Sequence, residues 1–169
     1  MTARLALLAW LLLSAGCSKP ADSKAQAAAD ARDIARVEAA QDTAPPATPL
    51  TPEAITFADI ERNKLFGASC VFLPEAGSKR FVVLAMTEAA YLKLDGDIHL
   101  YAADSGSPPL PFDTRSRYVG RDHVIDLQTS GGEGRASGEE TVDWPGRLTI
   151  RDAHERVVFT AAGTVQCGV

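Results

Sequence analysis

Between Glu53 and Val169 the chain is cut at short, regular intervals by turn-forming clusters. They are Pro74–Ser78, Asp95-Gly96-Asp97, Ser105–Pro111, Ser130–Gly138, Pro145-Gly146 and Asp152–Glu155. Turn signals recurring between short apolar runs are the spacing of a sandwich or barrel. The runs between them are rich in Val, Ile, Leu, Tyr and Phe, and several alternate with period two. Ala90, Leu92 and Leu94 fall on one strand face, with Tyr91 and Lys93 on the other. In the next run Ile98, Leu100 and Ala102 form the apolar set, and His99 and Tyr101 point away. Pairing apolar with apolar across Asp95-Gly96 then calls for an odd-length loop with Gly96 in the left-handed conformation. Ile125 and Leu127, then Leu148 and Ile150, then Val157, Phe159 and Ala161 continue the inward set, and counting on by twos brings Cys167 inward. Arg80–Thr87 is apolar on both faces, as befits a strand covered on both sides. The expectation is an all-β fold, an antiparallel barrel or sandwich of about seven to eight strands. One short N-terminal helix begins near Thr56 and packs through Phe57, Ile60, Leu65 and Phe66. Residues 53–169 suffice for one core.

The first 52 residues differ in kind. Met1 and Arg4 supply positive charge, Leu5–Leu13 form an apolar run, and Ser14-Ala15-Gly16 lead into Cys17. A run this short cannot cross a hydrocarbon core, which needs roughly 20 residues at ~1.5 Å rise. It reads as a secretory segment rather than a transmembrane helix. Its end resembles the lipobox of bacterial lipoproteins, although Ser14 stands where that class prefers an aliphatic residue. The resemblance implies cleavage after residue 16, a diacylglycerol thioether on Cys17 and an acylated (palmitate-type) amine. More than one acyl chain gives a firm anchor. Ser18 after the cysteine, by the sorting rule of that class, implies the outer membrane, in the inner leaflet facing the periplasm, with surface exposure as the other outcome. The alternative is an ordinary signal peptide that leaves Cys17 a free thiol. Residues 17–52 then form an Ala/Pro-rich stalk, with a marginal helix near Ser23–Ala40. A stiff extended spacer follows at Pro45-Pro46 to Pro52.

Three cysteines are present, and lipid on Cys17 would leave Cys70 and Cys167 as a pair. In an oxidising compartment these are expected to form a disulfide. A redox or metal role lacks the Cys-x-x-Cys spacing or clustered histidines it needs. His99, His123 and His154 lie on separate runs beside charged residues and read as exposed polar-face residues. Asp95-Gly96-Asp97 lacks the remaining oxygens of a calcium loop. No nucleophile elbow appears. The expectation is therefore no enzyme, no cofactor and no metal. A net charge of −5 with pI near 5.2 argues against nucleic acid.

Two loops carry the candidate binding residues. Ser130–Glu140 is glycine-rich and holds Glu133, Arg135 and Glu139, with Trp144 just beyond, either as a core aromatic or as a contact residue. Ser105–Tyr118 is stiffened by prolines and holds Arg115, Arg117 and Tyr118. Leu92-Lys93-Leu94-Asp95-Gly96, Ser105-Gly106-Ser107, Ser116-Arg117-Tyr118 and the late Cys167 are similar to elements of bacterial inhibitors of C-type lysozyme. In that family Ser-Gly-Ser and Ala-Arg-Tyr run together in one loop; here an insertion separates them. The resemblance implies a small disulfide-bonded β-barrel.

Three functional readings follow. The first is a non-enzymatic domain, tethered to the membrane by lipid, that binds an envelope protein or cell-wall component through these loops. The second is a lysozyme inhibitor. The third is a structural or stress-linked envelope lipoprotein without a discrete ligand.

Overall fold

The computed structural model describes residues 23–41, 46–74 and 78–169; the lipidation site at Cys17 and the leader before it lie outside the described residues. The chain divides into two units between Ala44 and Pro45. In the first, α1 (Ser23–Gln41) is exposed throughout. Its alanines favour helix, and its surface carries a Gln26–Asp30 hydrogen bond and an Arg36–Asp33 pair. Ile34 and Val37 are 58% and 55% exposed, so the helix has no buried stripe. Among the described residues no helix is long and apolar enough to cross a membrane.

The second unit holds α2 (Phe57–Asn63) and strands β1 (Ser69–Leu73), β2 (Val83–Ala85), β3 (Ala89–Leu94), β4 (Asp97–Ala103), β5 (Arg117–Val119), β6 (His123–Thr129), β7 (Arg135–Ala136), β8 (Val142–Asp152) and β9 (Val157–Gly168). Every pairing is antiparallel, in the order β6-β5-β4-β3-β2-β1-β9-β8, and β6 also pairs with β8. That last pairing closes an eight-stranded barrel, and closure leaves no long edge exposed. The two-residue β7 rides on the start of β8. Barrel, rather than sandwich, is the architecture.

An eight-stranded barrel has an interior that side chains can just fill. Tyr118, Phe72, Leu92, Ile125, Leu148 and Ile150 are fully buried there. A second cluster lies outside the wall: Ile55, Leu65 and Leu84, with Ile60 and Phe81 against them, cover the outer face of β2. The two-sided apolar run at Arg80–Thr87 has its cause in this cover. Cys70 and Cys167 are direct cross-strand partners on β1 and β9, buried and joined as a disulfide.

Three expectations are corrected. The β3–β4 connection is a two-residue turn, with Leu94 opposite Asp97 and Leu92 opposite His99. Asp95 and Gly96 both take positive φ (50° and 85°), the geometry that matches strand twist in tight hairpins. Turn chemistry thus outweighs side-chain matching. Tyr101 points inward at 3% exposure, while Leu100 faces out at 61%. Ile98 is half-buried against the outer cluster.

On β9 a bulge intervenes: Ile150 pairs with Phe159 and Arg151 with Val157, which leaves Val158 unpaired. Val158 is buried and Val157 is 49% exposed, the reverse of simple alternation. Thirdly, α2 does not pack through its phenylalanines. Phe57 and Phe66 are 66% and 59% exposed, and the helix turns Asp59 inward instead. A capping box explains this: Thr56 accepts from the Asp59 N–H while the Asp59 carboxylate accepts from the Thr56 N–H at 2.9 Å. The described residues contain two α-helices: α1 covers the Ala-rich stretch expected to be marginally helical, and α2 follows the Thr56 cap.

Candidate functional site

An up-and-down barrel has two ends, and here they are built differently. The β3–β4, β5–β6 and β8–β9 turns lie at one end, where the chain also joins the barrel. There the Leu50 N–H donates to the Val158 carbonyl at 3.0 Å, and the Glu53 N–H to the Lys93 carbonyl at 2.9 Å. The Gly96 N–H donates to the Glu53 carboxylate at 2.9 Å, tying that segment to the hairpin tip. A cleft of about 810 Å³ opens at this end, lined by Leu50, His99, Tyr101, Arg121, Asp122 and His123. Burial, and secondarily the charge of Asp122, pushes the Tyr101 phenol up to about 12. The cleft brings together two histidines that lie far apart in sequence; His154 sits elsewhere, in the β8–β9 turn. Among the described residues no group of three or more His, Cys, Asp or Glu side chains is placed to hold a metal.

The opposite end carries the β2–β3 turn, the β4–β5 loop and the β6–β8 connection. Both loops singled out in the sequence therefore emerge from one end.

The β4–β5 loop is folded onto itself. Ser116 N–H donates to the Pro108 carbonyl at 3.0 Å, Leu110 N–H to Thr114 at 2.9 Å, and Pro109 bridges Arg115. Thr114 is fully buried, its Oγ1 donating to the Pro111 carbonyl at 2.8 Å and lying 3.3 Å from Cys70 Sγ. Tyr118 is fully buried in the interior; its hydroxyl donates to the Met86 carbonyl at 2.9 Å and accepts from the Arg115 N–H at 2.7 Å. Burial pushes that phenol up. Arg115 turns its guanidinium to the Ser107 carbonyl at 3.4 Å. Arg117 lies on the outer wall beside Asp126 (3.4 Å) and Glu155 (3.5 Å), and Arg151 reaches the same Asp126 at 3.2 Å.

The β7–β8 hairpin is exposed. Trp144 is half-buried and its indole N–H donates to the Gly132 carbonyl at 3.0 Å. Gly134 lies under the ring with φ +79°, where a Cβ would come within 2.5 Å of the indole. Trp144 thus serves as the floor of its own hairpin and packs on the edge of the main core. Glu133 and Glu139 are exposed on the loop. Arg135 lines an outer groove of about 610 Å³ with Lys79, Phe81, Asp143, Thr164 and Gln166. Among the described residues no hydrogen bond or ion pair joins the 115–118 group to the 133–144 group.

One residue at this end escaped sequence reading. Phe112 and Asp113 both take left-handed backbone (φ 58° and 57°), and Phe112 is 41% exposed. For an L-residue that conformation costs about 1–2 kcal/mol. Nothing in the motif Leu110-Pro111-Phe112-Asp113 announces it, since glycine or asparagine is the usual signal.

No protein-family model, no curated protein and no solved structure matches this chain.

Proposed function

We propose that this chain is a lipid-anchored protein of the bacterial envelope, tethered through Cys17 to the inner leaflet of the outer membrane. Its barrel is a non-enzymatic module that binds an envelope partner through the end carrying the 105–118 and 130–140 loops. One observation supports this assignment of ends above others. The segment that leads in from the stalk is pinned at Leu50 and Glu53 to one end, and both loops project from the other. Residues 46–53 thus run at the first end and do not cover the second. The interior is packed with side chains, so recognition belongs to the outer surface. Binding residues concentrate on loops held by a rigid scaffold. The test is association of the full chain with its envelope partner before and after replacing residues 131–139 with a short turn and Phe112 and Arg115 with alanine. Loss of binding is expected, and unchanged binding contradicts the assignment.

A second reading, inhibition of a C-type lysozyme, draws on one feature. Residues 108–115 fold back as a side hairpin, so that Ser105-Gly106-Ser107 and Ser116-Arg117-Tyr118 become neighbours despite the insertion. Against it, Tyr118 is buried and Arg117 is ion-paired. Purified domain that leaves the lysis of cell walls by lysozyme unslowed at large excess removes this reading.

A further inference from the structure

We propose that Phe112 is the anchor residue of the loop-bearing end, presented to a protein whose surface joins an apolar socket to basic side chains. This rests on the reading that this end binds a partner. The backbone of Phe112, its supports, its exposure and its charged neighbours carry the proposal.

Phe112 is held where a bulky L-residue avoids going, with φ 58° and ψ 35°, and Asp113 follows it there. Strain of this kind persists only where surroundings over-determine it, and such positions cluster at binding sites. The surroundings here do so. Pro108, Pro109 and Pro111 stiffen the loop, buried Thr114 locks it to the Pro111 carbonyl beside the Cys70 sulfur, and Thr87 Oγ1 donates to the Phe112 carbonyl at 3.4 Å.

The strain does not secure a packed aromatic. Phe112 belongs to neither apolar cluster and is 41% exposed. Its order is therefore established before any partner arrives, which lowers the entropic cost of association. The Thr87 contact to the Phe112 carbonyl also ties the segment to the β2–β3 turn. Aromatic residues, phenylalanine included, are enriched at protein interfaces relative to the rest of the surface.

Charge selects the partner. Exposed Asp113 follows Phe112 directly and exposed Glu88 follows Thr87, while the nearby Arg115 is turned to the Ser107 carbonyl. An apolar anchor between two free carboxylates complements a socket rimmed by lysine or arginine.

The test places photoreactive benzoylphenylalanine at position 112 of the full chain, at 133 and 139 in parallel, and at 157 as a control on the opposite end. After irradiation in the envelope, position 112 is expected to give one protein adduct at least tenfold above the control. The partner so identified, once purified, should bind wild type with affinity that falls as salt rises, and bind Phe112→Gly at least tenfold more weakly. The Tm of Phe112→Gly should be no lower than wild type, because glycine relieves the strain. Adducts from 133 or 139 without one from 112 overturn the anchor and leave the binding end intact. No adduct from any loop position overturns both. Binding indifferent to salt, or a Tm of Phe112→Gly lowered by more than about 5 °C, makes Phe112 a packing residue and contradicts the proposal.

Discussion

Lys93 Nζ lies 2.8 Å from the Asp59 carboxylate, tying helix α2 to the outer wall of the barrel at β3. Both side chains are largely withdrawn from water, at 15% and 4% exposure. The Lys93 hydrogen bond, then the Thr56 N–H and hydroxyl, hold the Asp59 carboxyl well below its ordinary value of 3.8. Arg156 likewise lowers Asp152, to about 2. A depressed folded-state value stabilises the fold above the unfolded pKa, and that contribution fades as pH falls through the folded one. The urea midpoint should be level from pH 7 to about 5 and decline steadily below 4. Asp59→Asn should lower the midpoint at pH 7 and shallow the acid decline. An acid slope identical in that variant contradicts the assignment.

At the other extreme, Tyr101 is a buried phenol pushed up to about 12. Its folded value exceeds the unfolded one near 10, so the neutral form is favoured in the fold. Stability should hold up to about pH 10 and fall between 10 and 12. Ultraviolet titration of phenolate should show a late component that shrinks in Tyr101→Phe, with buried Tyr118 supplying what remains. A tyrosine set that finishes titrating together near 10 refutes the burial argument.

The Cys70–Cys167 disulfide closes a loop across a sequence separation of 97. In the chain-entropy model a loop this long contributes ~4–5 kcal/mol, and removing native disulfides costs about 2–5 kcal/mol. Cys70→Ser with Cys167→Ser should keep the far-ultraviolet β signal and lose stability in that range. Stability unchanged under reducing conditions would count against it.

Gly134→Ala tests the Trp144 floor. The substitution puts a methyl into the indole and forces it at φ +79°. It should displace the ring from the Gly132 carbonyl, shift Trp144 emission to the red and cost about 1–2 kcal/mol. Unaltered emission would mean that the ring does not rest there.

Much of the barrel was legible because strands alternate and turns recur. Leu92, Leu94, Ile125, Leu127, Leu148, Ile150 and Cys167 are buried as their spacing demands. The β3–β4 register was misread because matching apolar faces ignored the strong preference of Asp-Gly for a two-residue turn. Val157 was misplaced because a bulge breaks counting by twos. The phenylalanines of the α2 region were set inward by hydrophobicity, whereas the capping box chose Asp59. At the loop-bearing end, sequence reading picked charged residues such as Arg117, which the structure shows ion-paired. The left-handed backbone of Phe112 is a feature that composition does not reveal.

The lipid anchor proposed at Cys17 decides where the barrel works. It is tested by supplying cells with a labelled fatty acid and isolating the full chain beside Cys17→Ala. Label on the wild-type protein at the membrane, and none on a variant released to the soluble fraction, is the expected result. Label retained by Cys17→Ala, or wild type found unlabelled and soluble, contradicts it.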